Sequence, residues 1–445
     1  MEQHFLPSTI GGYEETTIGL HVIAILLLSS LLILVLPRKY SVILFLFISM
    51  IIPMNQQIVI LGLNFTVMRS LLLVCWIRLL VRAEFNYIKF NLIDGLFLTW
   101  VISCSCIFIL QWESWGAFVN RLGFAFNALG IYFLLRFYFV DYERVTLVVQ
   151  TFAFFAICTA IAMLLEKATG YNAFSLLGGL REYSMIRDDT IRAQGPFSHP
   201  ILAGTFGATA IPFLFSLWQD DPYKKVLLAV SLTAALIITI TSASAGPFLA
   251  FASGLMAICL WPLRAYRRYF KWIFASFVVF LSIIMNAPVW GIISRIDIIK
   301  SASSYHRFML VDSFIKRIDE WWLLGLKSTA HWGWMMGDLA NQYVYEGIQG
   351  GILTFILFLL LILFCFFRIS AVIDSQADHT KTRFFTWAIG STLFVHVIAF
   401  WGISYWDQLL VTWYTLLAIV ASLDAELFND STAAKEVDDL SPAHL

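Results

Sequence analysis

Arg192, in RAQGPFSHPILAG, and Arg307, in SSYHRFMLVDSFIKRIDEWWLLG, are the residues whose type and setting could do chemistry. An arginine's planar fork donates two parallel hydrogen bonds to phosphate and never deprotonates. Arg192 precedes a Gly-Pro turn and then His199-Pro200, where a proline can open the first turn of a helix. That puts a guanidinium at the mouth of a helix N-terminus, which itself favours anions. The competing reading of Arg192 is an interfacial cation snorkelling to lipid headgroups. Beyond Arg307, the residues Phe308, Val311, Ile315, Ile318 and Trp322 recur at helical spacing. They make one apolar stripe, with Arg307, Asp312, Lys316, Asp319 and Glu320 mostly off it. The stretch is too polar to span a bilayer and too apolar on one side to float free, so a helix lying on a membrane surface is expected.

The rest of the chain must position these groups, and its composition excludes a soluble globule. Of 445 residues 60% are hydrophobic and 13% charged, with mean hydropathy +0.80. Apolar runs near the length needed to cross a bilayer, about 20 residues, recur from end to end. They predict an all-α integral membrane protein of about 12–13 transmembrane helices, near 19–36, 40–53, 65–82, 92–110, 120–140, 145–166, 199–217, 224–241, 246–262, 270–288, 350–368, 383–402 and 408–423. Lys and Arg fall on alternate loops: Arg38/Lys39, Arg82/Lys89, Arg136/Arg144, Lys224/Lys225, Arg264–Lys271 and Arg368/Lys381/Arg383. Those loops are expected on the cytoplasmic side, together with the acidic, disordered-looking tail 424–445. The acidic N-terminus, with Glu2, Glu14 and Glu15, does not read as a secretory signal. No second soluble domain is visible, so 1–445 reads as one polytopic membrane domain.

Two loops on the opposite side break the charge rule. Loop 167–198 holds Lys167, Arg181, Arg187 and Arg192; loop 289–349 holds Arg295, Lys300, Arg307, Lys316, Arg317 and Lys327. Long loops cross a membrane regardless of charge, which covers most of these residues. An anionic ligand at the outer face is the sharper cause. Arg121, Glu166 and Asp407, at span ends, read as interfacial anchors, and Arg69 as facing the bundle interior. The small residues of TSASAGPFLAFASG (241–254) favour close helix packing. All six cysteines lie in apolar spans as small core residues, with Cys104 and Cys106 on different helix faces. Asp188-Asp189 reads as a turn rather than a cation site. There is no phosphate-cradling glycine loop, no HExxH and no paired-cysteine metal spacing. Neither a cofactor nor nucleic acid is implied.

Three segments together resemble the O-antigen ligase and O-antigen polymerase superfamily of bacterial membrane glycosyltransferases. RAQGPFSHPILAG is similar to that family's arginine–glycine entry to a mid-chain span, SYHRFMLVDSFIKRIDEWWLLGL to its external arginine-bearing amphipathic helix, and NQYVYEGIQGGILTFILF to the run opening its next span. Their order and spacing extend the resemblance over nearly the whole chain. It implies a multi-pass enzyme of the bacterial inner (plasma) membrane with its active site facing the periplasm. Loops 167–198 and 289–349 would then be periplasmic, the latter carrying a surface helix. The family transfers a glycan from a polyprenyl diphosphate carrier to a sugar hydroxyl on a growing chain or a lipid core, as in surface polysaccharide, exopolysaccharide or lipopolysaccharide assembly, alongside other polysaccharide-assembly proteins. Carried over by position, Arg192 and Arg307 would hold the diphosphate without a metal, with His199 and Asn341 in support. One departure stands out: Ala340 occupies the place where many members have a histidine before the asparagine. The acceptor's general base would then be Asp338, Glu346 or His331, although Asp338 also reads as a helix N-cap and His331 as part of an aromatic cluster. The alternative function is a transporter or flippase of lipid-linked saccharides, which favours internal repeats and polar groups at mid-membrane.

Overall fold

The structure, a computed structural model, describes residues 16–60, 62–218, 221–284, 303–375 and 380–424. Arg295, Lys300 and the tail beyond 424 lie outside the described residues. The chain is almost wholly helical: α1 (Leu20–Val35), α2 (Arg38–Ile51), α3 (Val67–Val81), α4 (Leu92–Trp112), α5 (Trp115–Tyr138), α6 (Tyr142–Thr169), α7 (Pro200–Phe215), α8 (Pro222–Thr241), α9 (Ala245–Cys259), α10 (Arg267–Ile284), α11 (Ser303–Lys316), α12 (Gln342–Ser375), α13 (Thr380–Ala399) and α14 (Gln408–Ser422). Two hairpins, β1–β2 (Gln57–Ile60, Leu63–Thr66) and β3–β4 (Met185–Arg187, Thr190–Arg192), complete it. In the second, Asp188 and Asp189 form the two-residue turn with φ of 48° and 57°. Over their described residues, each of the thirteen apolar runs falls on one helix, except that 246–262 passes from α9 into the bent 3-10 segment Trp261–Tyr266.

Among the described residues, five helices are long and apolar enough to cross a membrane: α4, α5, α6, α8 and α12. A sixth would be α9 with the turn after it, bent by 77°. The outer helices turn large apolar side chains outward, among them Leu27, Leu28, Leu31, Ile102, Leu110, Val230, Leu353 and Phe367. Water would not tolerate such a surface and hydrocarbon does, so this is an all-α, multi-pass membrane protein. The short helices α7 and α14 are buried on nearly every face. Enclosed by other helices, they need no lipid-facing stripe. Close approach comes from small residues: a Cβ on Gly207 of α7 would stand 2.7 Å from the Ala235 carbonyl of α8.

The two sets of loops segregate to opposite ends. At one, Arg38 and Asn86 both donate to the Phe137 carbonyl, and Lys89 and Arg368 both pair with Asp424. Asp94, the N3 partner in the Asn91 capping box, takes Arg136 Nε at 2.8 Å and Nη2 at 2.9 Å and the Tyr132 hydroxyl at 2.6 Å. The other end gathers the hairpins, the segments 192–199 and 241–247, α11 and 400–407.

The apolar stripe expected on the Ser303–Trp322 stretch needs correction. α11 stops at Lys316, and a separate helical turn, Ile318–Trp321, follows. The buried face is Leu310, Val311, Phe314 and Trp321, packed on Val344 and Ile348 of α12, whereas Ile315, Ile318 and Trp322 are exposed. The stripe shifted because the helix breaks and because α12 offers a protein surface to pack on. α12 itself breaks at Gly350-Gly351, where 322–326 docks: Ile352 N donates to Trp322 O and Leu326 N to Ile348 O. Gly351 sits at φ 64°, ψ −170°, and a Cβ there would meet Leu323 O at 2.5 Å. Gly351→Ala should therefore cost about 2–3 kcal/mol, measured as a lower thermal-unfolding temperature in detergent or lipid.

Candidate functional site

The site begins with the segment 192–199. Its sequence, RAQGPFSH, cannot continue strand or helix through Gly-Pro, so its backbone donors must find acceptors elsewhere. Two carboxylates supply them. Glu166, fully buried in the last turn of α6, accepts from Gln194 N at 3.1 Å and Gly195 N at 2.8 Å, and from the Ser184 hydroxyl at 2.9 Å. Asp407 accepts from Ser198 N at 2.8 Å and Ser198 Oγ at 2.7 Å. Asn172 and Gln408 donate to the carbonyls of Gly195 and Pro196. Glu166 and Asp407 are thus clamps on this turn, not interfacial anchors.

Held in this way, Arg192 ends β4 with only 7% of its surface exposed. Its Nη2 donates to Ser244 Oγ at 2.6 Å and its Nε to the Ser242 carbonyl at 3.4 Å. It is no snorkelling cation. Burial, with Arg187 nearby, lowers the pKa of its guanidinium. His199 caps α7 through Nδ1, which accepts from Ile201 N at 3.1 Å, with Pro200 at the first helical position. Burial, then the Arg192 and Arg181 cations, holds its imidazole at about 4. It is therefore neutral at pH 7, and with Nδ1 accepting, the proton sits on Nε2.

Arg307 reaches the same place from α11. Its Nη2 lies 3.9 Å from where a Cβ on Gly246 would stand, two residues after the Ser244 that Arg192 grips. Gly402 packs on the same spot, within 3.9 Å of Gly246 Cα by its own projected Cβ. The stretch 242–246, from the end of α8 into α9, therefore binds Arg192, has Arg307 beside its Gly246 and lies against Gly402 of the 400–407 loop. The small residues of 241–254 do serve packing, and Ser242 and Ser244 also orient a cation, which sequence reasoning missed.

That loop carries the site's most unusual backbone. Asp407 has φ 61° and ψ −146°, a region an aspartate enters only under constraint from its surroundings. One carboxylate oxygen is clamped on Ser198; the other, Oδ1, is buried without a hydrogen-bond partner among the described residues. Burial raises its carboxyl to about 6 against the opposing pull of the Ser198 donors and of the Gln408 N–H close by. Half-exposed Trp401 and Trp406 flank it, and Trp406 donates to Ser198 Oγ.

The other sequence candidates fall around this centre. Asn341, fully buried, caps α12 by accepting from Val344 N at 3.1 Å and donates to the Trp401 carbonyl at 3.4 Å. The N-cap is thus Asn341 rather than Asp338. Asp338 is exposed in a turn tied to α11 through His306, the neighbour of Arg307, which bonds the Met335 carbonyl at 3.0 Å. His331 sits on Glu320 at 2.7 Å, beside Trp332, whose indole donates to the same carboxylate oxygen. These donors hold the Glu320 carboxyl at about 2, with Arg317 adding to them. Glu346 is buried among α4, α5 and α12, bonded to Trp100 and Gln342. Arg121 is also buried rather than interfacial, its guanidinium 3.6 Å from the Phe108 ring centre. Arg69 bonds Asn127 Oδ1 at 3.0 Å and the Asn64 carbonyl at 2.8 Å. Among the described residues no group of His, Cys, Asp and Glu could hold a metal. No family model matches the chain, and no curated protein matches it.

Proposed function

We propose that this protein is a multi-pass membrane glycosyltransferase of the O-antigen ligase and polymerase type. In this reading about 12–13 helices cross a bacterial plasma membrane and the end bearing Arg192 and Arg307 faces the periplasm. The donor is a glycan on a polyprenyl diphosphate, and the acceptor is a sugar hydroxyl on a growing polysaccharide or a lipid core. The observation that carries it is that Arg192 is held on Ser242 and Ser244 while Arg307, from a distant part of the chain, lies beside Gly246 of the same stretch.

The acceptor oxygen attacks the anomeric carbon as the bond from that carbon to the phosphate oxygen breaks. Charge builds on the departing diphosphate, where the Arg192 guanidinium, held on Ser242 and Ser244, that of Arg307 and the neutral His199 Nε2–H would stabilise it. The α7 N-terminus adds favourable dipole. The acceptor hydroxyl's proton needs a base. Asp407 suits this role better than Asp338, Glu346 or His331: it is clamped to the arginine turn through Ser198, its Oδ1 makes no well-formed hydrogen bond among the described residues, and burial raises its carboxyl to about 6. Exposed Trp401 and Trp406 offer faces on which a glycan could stack.

The deciding experiment incubates purified, reconstituted protein with a lipid-linked oligosaccharide and an acceptor, with no ion gradient. Release of polyprenyl diphosphate with a new glycosidic bond supports the reading. Movement of the lipid across the bilayer without bond formation would replace it with transport.

The base assignment makes a pH prediction. Asp407 works as carboxylate, so the transfer rate should climb as pH rises through about 6 and level off above it. Asp407→Asn should lower the rate by about 10²–10⁴-fold and remove that acid limb. Stability should move the other way. A carboxyl with a raised folded pKa favours the protonated fold, so its contribution is lost as pH rises from about 4 through 6.

A further inference from the structure

A second set of titratable side chains runs through the bundle and takes no part in the arginine site. Between α4, α5, α12, α14 and the 400–405 segment lies a cavity of about 60 Å³, with Arg121, Gln342, Glu346, Tyr405 and Tyr414 on its wall. At roughly 10–15 Å³ per water it has room for about four. Its lining is unfinished. Glu346 accepts from Trp100 Nε1 at 2.9 Å and Gln342 Nε2 at 2.7 Å, using about two of its four lone-pair positions. The Tyr414 hydroxyl and Arg121 Nε, both buried, have no hydrogen-bond partner among the described residues.

A smaller cavity, about 20 Å³, lies between α6, α7, α13 and α14, lined by Thr209, Thr392 and Thr412 with His396 on its wall. It has room for about one water. The two cavities are joined by one hydrogen bond: Tyr405, on the wall of the first, meets His396 Nδ1 at 2.7 Å. Tyr405 N also donates to Gln342 Oε1 at 2.6 Å, and the amide of Gln342 continues to Glu346.

The groups facing this path come from every surrounding element. α4 gives Cys104 and α5 gives Arg121, the one cation on the cavity wall among the described residues. α12 gives Tyr343 and Tyr345, with the Tyr343 hydroxyl held by the Val397 carbonyl, and α14 gives Tyr414. α6 and α7 contribute Phe152, Phe206, Phe213 and Thr209, which do not titrate. A carboxyl, a phenol and an imidazole enclosed in a membrane bundle are costly unless used.

We propose that Glu346, Tyr405 and His396 form an internal proton relay between the two cavities. Glu346, as carboxylic acid, gives its proton through cavity water to Tyr405 Oη while the phenol's proton passes to His396 Nδ1. The proton on Nε2 leaves to water at the threonine cavity. One O–H bond breaks at the carboxyl and one forms at the far water; Glu346 is left as carboxylate facing Arg121. The reverse passage restores the starting tautomer. The relay is independent of the sugar-transfer reading.

The test is infrared spectroscopy of the full-length protein in lipid bilayers, with a pH titration and a transfer from H₂O to D₂O. The relay predicts a carbonyl band of a protonated, buried carboxyl that titrates, shifts promptly in D₂O and is lost in Glu346→Gln. In Tyr405→Phe and His396→Gln the band should persist but exchange at least about tenfold more slowly. A band unaffected by Glu346→Gln, no such band at any pH, or wild-type exchange in Tyr405→Phe would each overturn the proposal. Should Glu346→Gln fail to assemble, the exchange rates of the other two variants still decide it.

Discussion

Arg192→Lys should leave a folded protein that transfers glycan about 10²–10³-fold more slowly, a loss of roughly 3–4 kcal/mol of transition-state stabilisation. Lysine keeps the charge, so a purely electrostatic role would survive the change. The fork is what it lacks. Nη2 and Nε of Arg192 already hold Ser244 Oγ and the Ser242 carbonyl, which fixes the plane of the guanidinium and leaves its remaining donors for a ligand. An ammonium concentrates its donors at one point and cannot grip that turn while presenting an ordered edge to a diphosphate. The measurement is steady-state transfer by purified protein. An interaction made mainly in the transition state should lower kcat and kcat/KM together. Ser244→Ala, which removes only the orienting hydroxyl, should give a smaller loss in the same direction. A lysine variant working at the wild-type rate would leave the arginine turn without a catalytic role.

Some of this was legible from residue order alone and some was not, for physical reasons. Helices are local objects: an apolar run between charged loops announces itself, and over the described residues all thirteen runs fall on helices. His199-Pro200 was readable for the same reason, since a cap is fixed by its neighbours. α11 was read less well. Its helical spacing continues through Ile318 and Trp322, whereas the buried face is set by α12, which sequence spacing does not reveal. Glu166 and Asp407 were misread as interfacial because a carboxylate at a span end looks the same whether it meets headgroups or backbone donors. Its partners lie elsewhere in the chain: Ser198 is bound by Asp407, and Gly195 by Glu166. The one available clue is the Gly-Pro within Gln194 to Ser198, which keeps the run out of helix and strand so that its N–H groups need acceptors from elsewhere. Asp407's backbone strain leaves no mark on composition.

The clamp makes the second large prediction. Glu166 lies at the C-terminal turn of α6, where the helix dipole disfavours negative charge, and it is fully buried. Something must repay that placement, and the donors from Gln194, Gly195 and Ser184 do. Glu166→Ala strands two backbone N–H groups in a closed turn and should cost about 3–5 kcal/mol. Glu166→Gln should be nearly as damaging, because its NH₂ group would point a donor at a donor where the carboxylate's second oxygen accepts. Thermal unfolding in lipid or detergent measures the first effect. The functional consequence follows from geometry, since the turn that Glu166 holds is the one that delivers Arg192 to Ser242 and Ser244. At a temperature where the variant is still folded, transfer should already be lost in Glu166→Gln. A variant that keeps both its stability and its rate would show that Asp407 alone fixes the turn, and would move the centre of the site from α6 to the 400–407 loop.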